Sequence, residues 1–306
     1  MPFVATDDDC DLFVKELGDG PPVVLIHGWP LNADSWDDVA LSLANAGFRA
    51  ISYDRRGFGR SEQTWDGYDY DTFADDLDAV IDQCEAEGTA IVGFSMGGGE
   101  VARYLSRHGS SKVSKAALIS SVVPFLLKTD DNPDGAPQKV FDDMIEGITQ
   151  DRAGFMQTFA KNFFGVGMFS HPVSQGVLDW FFQMAMQAGL KGTLDCVRAF
   201  SSTDFRADCA AFDVPTLILH GTGDAVVPID ISARKAAQLI AGSELIEYDG
   251  GPHGLLATHK DEVARDLISF LRGEAASERQ AFFARDQETI ITENALGLNP
   301  TLQPLI

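Results

Sequence analysis

The strongest chemical signal in the sequence is a serine held between two glycines. Residues 93–97 read Gly-Phe-Ser-Met-Gly, and they join a short apolar run to a segment of helical spacing that begins at Met96. A strand, a sharp turn and a helix are the context that a G-x-S-x-G nucleophile elbow requires. Small residues at Gly93 and Gly97 let the backbone turn tightly, with Ser95 strained at a helix N-terminus. We predict that Ser95 is a nucleophile; the alternative is a glycine-rich turn without chemistry.

A serine hydroxyl needs a base to take its proton and an acid to orient that base. With this elbow, the acid and the histidine follow the serine in the chain. Two later apolar runs end in loops rich in glycine, and these loops contain Asp224 and His253. Because loops at strand ends carry functional residues, we predict Asp224 as the acid and His253 as the base. Asp213 and Asp249 are fallback acids, although Asp213 precedes its strand.

The non-catalytic alternatives are a turn acid for Asp224 and a surface loop histidine for His253. Four other histidines have structural interpretations: His108 and His259 at the ends of helices, His171 in the Phe-rich segment that we predict as a lid, and His220 at the end of a strand. No arrangement of His, Cys and carboxylates suggests a metal site.

A developing oxyanion needs two backbone N–H donors. The residue after the nucleophile, Met96, supplies one, and the loop after an early strand supplies the other. We predict Trp29 as the second donor, because Pro30 has no amide hydrogen and restricts the backbone of Trp29. The alternative is a simple turn. Residues 53–61 contain part of a G-x-G-x-x-G pattern, but Glu62 and the lack of a following helix exclude a dinucleotide site.

A sheet must position these residues. In the first 125 residues, apolar runs that are typical of buried parallel strands alternate with segments of helical spacing. The predicted strands are Val23–His27, Ala50–Tyr53, Ala90–Phe94 and Ala116–Val123, and the predicted helices are Trp36–Ala46, Tyr70–Glu87 and Met96–His108. This alternation predicts an α/β fold with a mostly parallel, doubly wound sheet, whose sites lie at the carboxyl ends of its strands.

After about residue 124 the strand pattern gives way to a segment rich in Phe and Met, before strands return at Thr216–His220 and Glu244–Tyr248 and a last helix at Asp261–Leu271. We therefore predict a core of residues 1–124 and 208–273, a helical lid at 125–207 inserted between strands, and a C-terminal tail at 274–306. We expect a narrow apolar pocket that favours short acyl groups. Its predicted lining is Pro30, Phe125, Phe141, Phe159, Phe163, Phe200 and Val226.

The charge balance disfavours several classes of partner. The 306 residues contain 23 Lys and Arg against 46 Asp and Glu, a net charge of −23, and such a field repels nucleic acid and anionic membrane surfaces. No apolar run approaches the length of about 20 that a membrane span needs, and the acidic N-terminal residues are not typical of a signal peptide. The four cysteines are scattered, as in a reduced, cytoplasmic protein.

Several motifs resemble those of a known family. They are Leu25–Leu31, Tyr53–Ser61, Gly93–Gly99, Val173–Gly176, Asp213–Thr216, Val226–Pro228 and Pro252–Gly254. They resemble the cofactor-free haloperoxidase and arylesterase branch of the α/β-hydrolases, from residue 1 to about residue 272. The resemblance implies the same triad and oxyanion donors, and it implies no cofactor. Departures from the family pattern are Gly251 and Leu255 beside His253, and the tail after Gly273.

The residues and the resemblance together predict a serine carboxylic ester hydrolase that forms an acyl-Ser95 intermediate on short-chain or aryl esters. The expected partner is a small-molecule ester. The resemblance implies that hydrogen peroxide replaces water in a second activity, which gives a peracid that oxidises halide without haem, flavin or metal. Alternatives are a lactone or amide hydrolase on the same triad, and a non-catalytic ligand-binding α/β-hydrolase. We also expect a homo-oligomer.

Overall fold

The computed structural model describes residues 2–274. Within them, eight strands form one sheet: β1 (Phe3–Ala5), β2 (Asp11–Leu17), β3 (Pro22–Ile26), β4 (Arg49–Tyr53), β5 (Thr89–Phe94), β6 (Val113–Ile119), β7 (Thr216–Gly221) and β8 (Glu244–Tyr248). The helices of the described residues are α1 (Asp37–Asn45), α2 (Tyr70–Gln83), α3 (Met96–His108), α4 (Gln138–Phe163), α5 (Gln175–Gln187), α6 (Leu190–Ser202), α7 (Ala233–Leu239), α8 (Leu255–Thr258) and α9 (Lys260–Arg272).

The sheet is parallel except at one edge. Its strand order is β1-β2-β4-β3-β5-β6-β7-β8, in which β2 pairs antiparallel with both β1 and β4. The other pairs are parallel, so the carboxyl ends of strands β3–β8 lie at the same edge of the sheet. There Ile26 of β3 pairs with Gly93 of β5, and Gly221 of β7 pairs with Tyr248 of β8. The predicted mostly parallel, doubly wound sheet is confirmed, and this edge brings the loops after β3, β5, β7 and β8 together.

Burial explains which strands the sequence predicts. Every residue of β5 and β7 is buried, as parallel strands covered on both faces require, and both are expected from their apolar runs. The two strands at the antiparallel edge are not predicted. β1 has only three residues, and β2 mixes buried and exposed positions, so neither produces a continuous apolar run.

Residues with positive φ end the early helices. Gly47 (φ 92°) follows α1, and Gly109 (φ 74°) caps α3, in a conformation that costs glycine little. The predicted extension of α2 to Glu87 is wrong. The helix ends at Gln83, because Glu85 adopts φ 49° and breaks it before Gly88.

Helices α4, α5 and α6 lie between β6 and β7 in the chain, and their aromatic rings pack on one another. The ring centroid of Phe163 lies 5.0 Å from that of Phe181 and 5.0 Å from that of Phe164. Phe159 packs edge-on against Trp29 in the loop after β3, at 5.3 Å. The Phe-rich composition of this segment therefore reflects a small aromatic core of its own. Its role as a lid, and the domain limits expected from sequence, stay predictions.

The chain divides into two units, Met1–Ala264 and Arg265–Ile306. The first contains the sheet and helices α1–α8. In the second, residues 265–272 are helical and the description ends at Glu274. Apart from Glu274, the predicted tail 274–306 lies outside the described residues. None of the helices described is both long and apolar enough to cross a membrane.

A buried ion pair joins the end of β4 to α3. Arg55 contacts Glu100 through its Nε, 2.9 Å from Oε2, and through its Nη2, 2.8 Å from the same oxygen. Both side chains are fully buried, and the hydroxyl of Tyr53 bonds to the other oxygen of Glu100. Burial raises the pKa of Glu100 and lowers the pKa of Arg55, because it disfavours the charged form of each. The charge of each buried group is therefore compensated only by the opposite charge of its partner.

Replacing one member of this pair should destabilise the protein strongly. In Arg55→Met we expect the free energy of unfolding to fall by about 3–5 kcal/mol, since a buried carboxyl group loses its partner. Urea denaturation measures the change. The control is Lys139→Met at the exposed Lys139–Asp143 pair, which should cost less than about 1 kcal/mol. Equal losses in the two variants would contradict the structural role of the buried pair.

Candidate active site

The turn between β5 and α3 holds Ser95 in a conformation rare for a non-glycine residue, with φ 55° and ψ −116°. The chain passes so close to itself there that only glycine fits on either side. A Cβ on Gly93 would lie 2.3 Å from the carbonyl oxygen of Gly97, and a Cβ on Gly97 would lie 2.5 Å from that of Ile26. The sequence thus folds into a sharp elbow that places the serine side chain at the carboxyl edge of the sheet.

The three residues expected to form a triad meet at this edge. His253, in the loop after β8, places its Nε2 2.9 Å from the Oγ of Ser95. Its Nδ1 lies 2.7 Å from the Oδ2 of Asp224, in the loop after β7. All three side chains are buried. The structure therefore contains a continuous hydrogen-bonded chain from hydroxyl to imidazole to carboxylate.

The carboxylate of Asp224 is held in its charged form. Its Oδ1 accepts hydrogen bonds from the backbone N–H groups of Val226 and Val227, at 2.9 and 2.8 Å. Burial acts to raise the pKa of Asp224, but its interactions with the imidazoles of His253 and His220 outweigh burial and hold that pKa well below its usual range. The charged carboxylate accepts the Nδ1–H of His253, which leaves Nε2 as the acceptor that faces Ser95.

His220, for which the sequence suggests only a structural role, also contacts this carboxylate. The Nε2 of His220 lies 3.2 Å from Asp224 Oδ2 and 2.8 Å from the carbonyl oxygen of Val227. The sequence signal for this contact is the spacing of four residues between His220 and Asp224 across a glycine-rich loop. Of the fallback acids, Asp249 lies 3.4 Å from the hydroxyl of Thr222, and Asp213 is exposed before β7.

The predicted oxyanion donors lie beside the serine. A Cβ on Gly28 would be 2.9 Å from the Cβ of Ser95, so the loop after β3 crosses directly over the nucleophile. Within residues 2–274, neither the N–H of Trp29 nor the N–H of Met96 donates to a protein acceptor. Two unused amides next to one serine are what a tetrahedral oxyanion requires.

The loop that carries the Trp29 amide is fixed from behind. The ring of His27 accepts a hydrogen bond at Nε2 from the N–H of Arg55, so its Nδ1 carries the hydrogen that donates to the carbonyl of Gly28 at 2.9 Å. Burial and the charge of Arg55 lower the pKa of His27, which keeps the ring neutral. Because the Gly28 carbonyl and the Trp29 N–H belong to one planar peptide, this bond sets the direction of the amide.

An apolar cavity of about 390 Å³ opens onto Ser95 and His253. Four of the residues predicted to line the pocket do so: Phe141, Phe159, Phe200 and Val226. The indole of Trp29 forms part of the wall, packed edge-on against Phe159 and Phe200 at 5.3 and 5.7 Å, and its N–H donates to the carbonyl of Thr193 at 3.0 Å. Besides the reactive groups, the polar side chain in the wall is Asp134.

Three other residues predicted for the pocket do not line it. Phe163 instead packs edge-on against the ring of His253, at 4.8 Å. Phe125 lies under the guanidinium of Arg206, 5.2 Å from it. Pro30 is buried, and a cis peptide bond joins it to Trp29. Aromatic composition does not distinguish rings that face a ligand from rings that fill the core. In the part of the chain that the structure describes, no group of three or more His, Cys, Asp or Glu side chains is arranged to hold a metal ion.

Comparison with known proteins agrees with this geometry. A model of the α/β hydrolase fold family matches residues 21–260. The chain belongs to the α/β-hydrolase family. Among α/β-hydrolases it is 45% identical over 273 residues to a non-heme chloroperoxidase of Kitasatospora aureofaciens, covering 89% of this chain and 99% of the relative. It is 42% identical over 275 residues to a bifunctional esterase/perhydrolase of Acinetobacter calcoaceticus, covering 89% and 100%.

Among solved α/β-hydrolase structures, the chain resembles a bromoperoxidase from Bacillus anthracis with a TM-score of 0.85 and 43% identity, over 88% of this chain and 99% of that one. The resemblance inferred from the sequence motifs is confirmed, and the chain lies within the branch of non-heme haloperoxidases and related esterases.

The glycine contacts of the elbow can be tested by adding one methyl group. In Gly97→Ala the new Cβ meets the backbone of β3, which cannot move aside as a flexible side chain would. We expect the free energy of unfolding, measured in urea, to fall by about 1–3 kcal/mol. The matched control is Gly167→Ala, where nothing lies within 4 Å of the new methyl group and the change should stay within about 0.5 kcal/mol. A Gly97→Ala protein as stable as this control would show that the elbow is not tightly packed.

Proposed function

We propose that this α/β-hydrolase is a serine hydrolase of carboxylic esters, and that hydrogen peroxide replaces water as a second acceptor of its acyl group. The observation that carries the proposal is the hydrogen-bonded chain Ser95–His253–Asp224, which opens into an apolar cavity beside two unused backbone amides. The similarity to a relative named as an esterase/perhydrolase supports both parts of the proposal.

In the first half of the reaction, Ser95 Oγ attacks the ester carbonyl carbon while its proton passes to Nε2 of His253. The carbonyl oxygen becomes an oxyanion, which accepts hydrogen bonds from the N–H groups of Trp29 and Met96. The tetrahedral intermediate collapses when the bond to the alcohol breaks, and His253 returns the proton to the leaving oxygen. Asp224 stays ionised and stabilises the imidazolium. The products are the alcohol and acyl-Ser95.

In the second half, a water molecule gives its proton to His253 and its oxygen attacks the acyl carbon, which releases the carboxylic acid and restores Ser95. Hydrogen peroxide reacts in the same way and releases a peracid. The peracid then transfers one oxygen to a halide ion, so that the halide is oxidised to hypohalous acid and the peracid is reduced to the carboxylic acid. The protein supplies the acyl-enzyme for this sequence, and the oxidant is peroxide.

The cavity favours uncharged acyl groups. Its wall is formed largely by rings and aliphatic side chains, among them Phe141, Phe159 and Val226, which gain from covering apolar surface and offer nothing to a charge. Short-chain or aryl esters fit this description. Lactones and amides use the same acyl chemistry, and a panel that contains all three classes separates them. A cytoplasmic location and a homo-oligomer stay predictions.

The first test removes each member of the triad. In Ser95→Ala, Asp224→Asn and His253→Ala, turnover of p-nitrophenyl acetate should fall by about three orders of magnitude or more, because the three groups act as a unit. Peracid formation from acetate ester and peroxide should fall with it, since both depend on acyl-Ser95. Circular dichroism and urea unfolding show whether the variants fold.

His108→Ala is a matched control, since His108 is a half-buried histidine at the end of α3 that contacts Asp75 and Asp78, and its loss should leave turnover within about twofold. A folded His253→Ala enzyme with wild-type turnover would overturn the assignment of the base. A wild-type enzyme that hydrolyses esters but forms no peracid would limit the proposal to the esterase.

The second test concerns the cavity wall. Phe141→Ala removes a ring that lines the cavity and should shift the preference among p-nitrophenyl esters from acetate towards longer acyl chains by about fivefold or more, since one or two extra buried methylenes have effects of this order. Phe125→Ala is the matched control, an equally buried ring that does not line the cavity. It should reduce stability and leave the chain-length preference unchanged. The same shift in both variants would contradict the proposed wall.

A further inference from the structure

The carboxylate of Asp224 is bound on both sides, and one of its contacts is not explained by the triad. Two backbone amides hold Oδ1, and His253 donates to Oδ2. His220 is a second imidazole at the same Oδ2, 3.2 Å away, and it is completely buried. It is the next-to-last residue of β7, so it belongs to the sheet, whereas Asp224 belongs to a loop.

The hydrogen-bond partners of His220 define its protonation. Its Nε2 lies 2.8 Å from the carbonyl oxygen of Val227, which only accepts, so Nε2 carries a hydrogen. Its Nδ1 is buried without a partner among the described residues, which is the environment of a bare lone pair and not of a second N–H. His220 is therefore a neutral imidazole with one N–H, and that N–H faces both Val227 O and Asp224 Oδ2.

These contacts form a closed ring. His220 holds the carbonyl of Val227, the N–H of Val227 holds Oδ1 of Asp224, and Oδ2 of Asp224 lies against His220. The backbone of β7 is itself paired with β8, with Glu247 opposite His220. A side chain of β7 thus contacts both the backbone and the carboxylate of the loop that follows it, and it connects the carboxylate to the sheet.

We propose that His220 is a positioning residue for the proposed triad: its Nε2–H, shared between Val227 O and Asp224 Oδ2, holds the Asp224 carboxylate in the orientation that presents Oδ2 to His253. The proposal rests on the proposed serine hydrolase function, in which His253 becomes charged and Asp224 stabilises it. His220 touches neither substrate nor the transferred proton, and it acts through the carboxylate alone.

The test replaces His220 by two amide side chains that place an N–H donor at different distances from the backbone. In His220→Gln the side-chain amide nitrogen reaches about as far as Nε2, and in His220→Asn it reaches only about as far as Nδ1. We expect the kcat of His220→Asn to fall about tenfold to a hundredfold, the order expected for a lost hydrogen bond to a charged group, while His220→Gln stays within about threefold of wild type. KM should change less than kcat in both variants. His220→Phe, which keeps a ring and has no donor, should behave like His220→Asn.

A second readout does not depend on turnover. In crystal structures of the two variants, the hydrogen bond between Asp224 and His253 should be broken or lengthened in His220→Asn and kept at about its wild-type length of 2.7 Å in His220→Gln. His259→Phe is the control, a half-buried histidine stacked on Tyr248 that should leave kcat unchanged. Because the Asn and Gln side chains are similarly polar, the comparison holds even if His220→Phe fails to fold.

Equal kcat values for His220→Asn and His220→Gln, or an unchanged Asp224–His253 geometry in His220→Asn, would overturn the proposal while Asp224→Asn still tests the triad. If the wild-type enzyme hydrolyses no ester, the proposed function fails, and the two crystal structures still decide whether His220 orients the carboxylate.

Discussion

The site depends on the backbone conformation of Ser95, which residues other than glycine rarely adopt. Holding Ser95 at φ 55° costs on the order of 1–3 kcal/mol. Such strain persists only where several independent contacts hold the backbone in place. They do so here: the N–H of Ser95 donates to Ile119 O at 2.8 Å, its carbonyl accepts from Gly98 N at 3.0 Å, and backbone atoms fill the space beside Gly93 and Gly97. Neighbouring strands therefore determine where the Oγ of Ser95 emerges.

Around that fixed point, hydrogen bonds define which nitrogen carries each proton. The backbone N–H of Arg55 donates to Nε2 of His27, so the ring hydrogen is on Nδ1. Nδ1 donates it to the Gly28 carbonyl and thereby orients the peptide that contains the Trp29 N–H. Asp224 acts from the opposite side of the bond: its carboxylate accepts the Nδ1–H of His253 and so leaves Nε2 without a hydrogen. A serine becomes nucleophilic only if its neighbour has a free lone pair facing it, so the order of donors and acceptors behind the imidazole matters as much as the distance in front of it.

The sequence predicts the parts of the structure that local patterns determine. The elbow, the parallel strands and the loops with Asp224 and His253 depend on short runs of apolar or small residues, and each lies within a few residues of its predicted position. Properties that depend on which side of a helix meets another element are not accessible in this way. Phe163 and Phe159 lie four residues apart in α4, yet the first packs on His253 and the second lines the cavity. The contact of His220 with Asp224 depends on how a loop folds back on its strand, which their spacing of four residues permits but does not determine.

Trp29 connects the loop after β3, which crosses over Ser95, to helix α6. Its backbone N–H is a proposed oxyanion donor, while its indole N–H donates to the carbonyl of Thr193 in α6. Gly189, the residue before that helix, donates to Gly57 O at 2.7 Å. A shift of α6 relative to the loop after β3 must therefore either break the indole hydrogen bond or carry Trp29 with it. Because the backbone and the indole belong to one residue, a shift of α6 that carried Trp29 along would also move its backbone N–H, so the position of this helix is coupled to that of a proposed oxyanion donor.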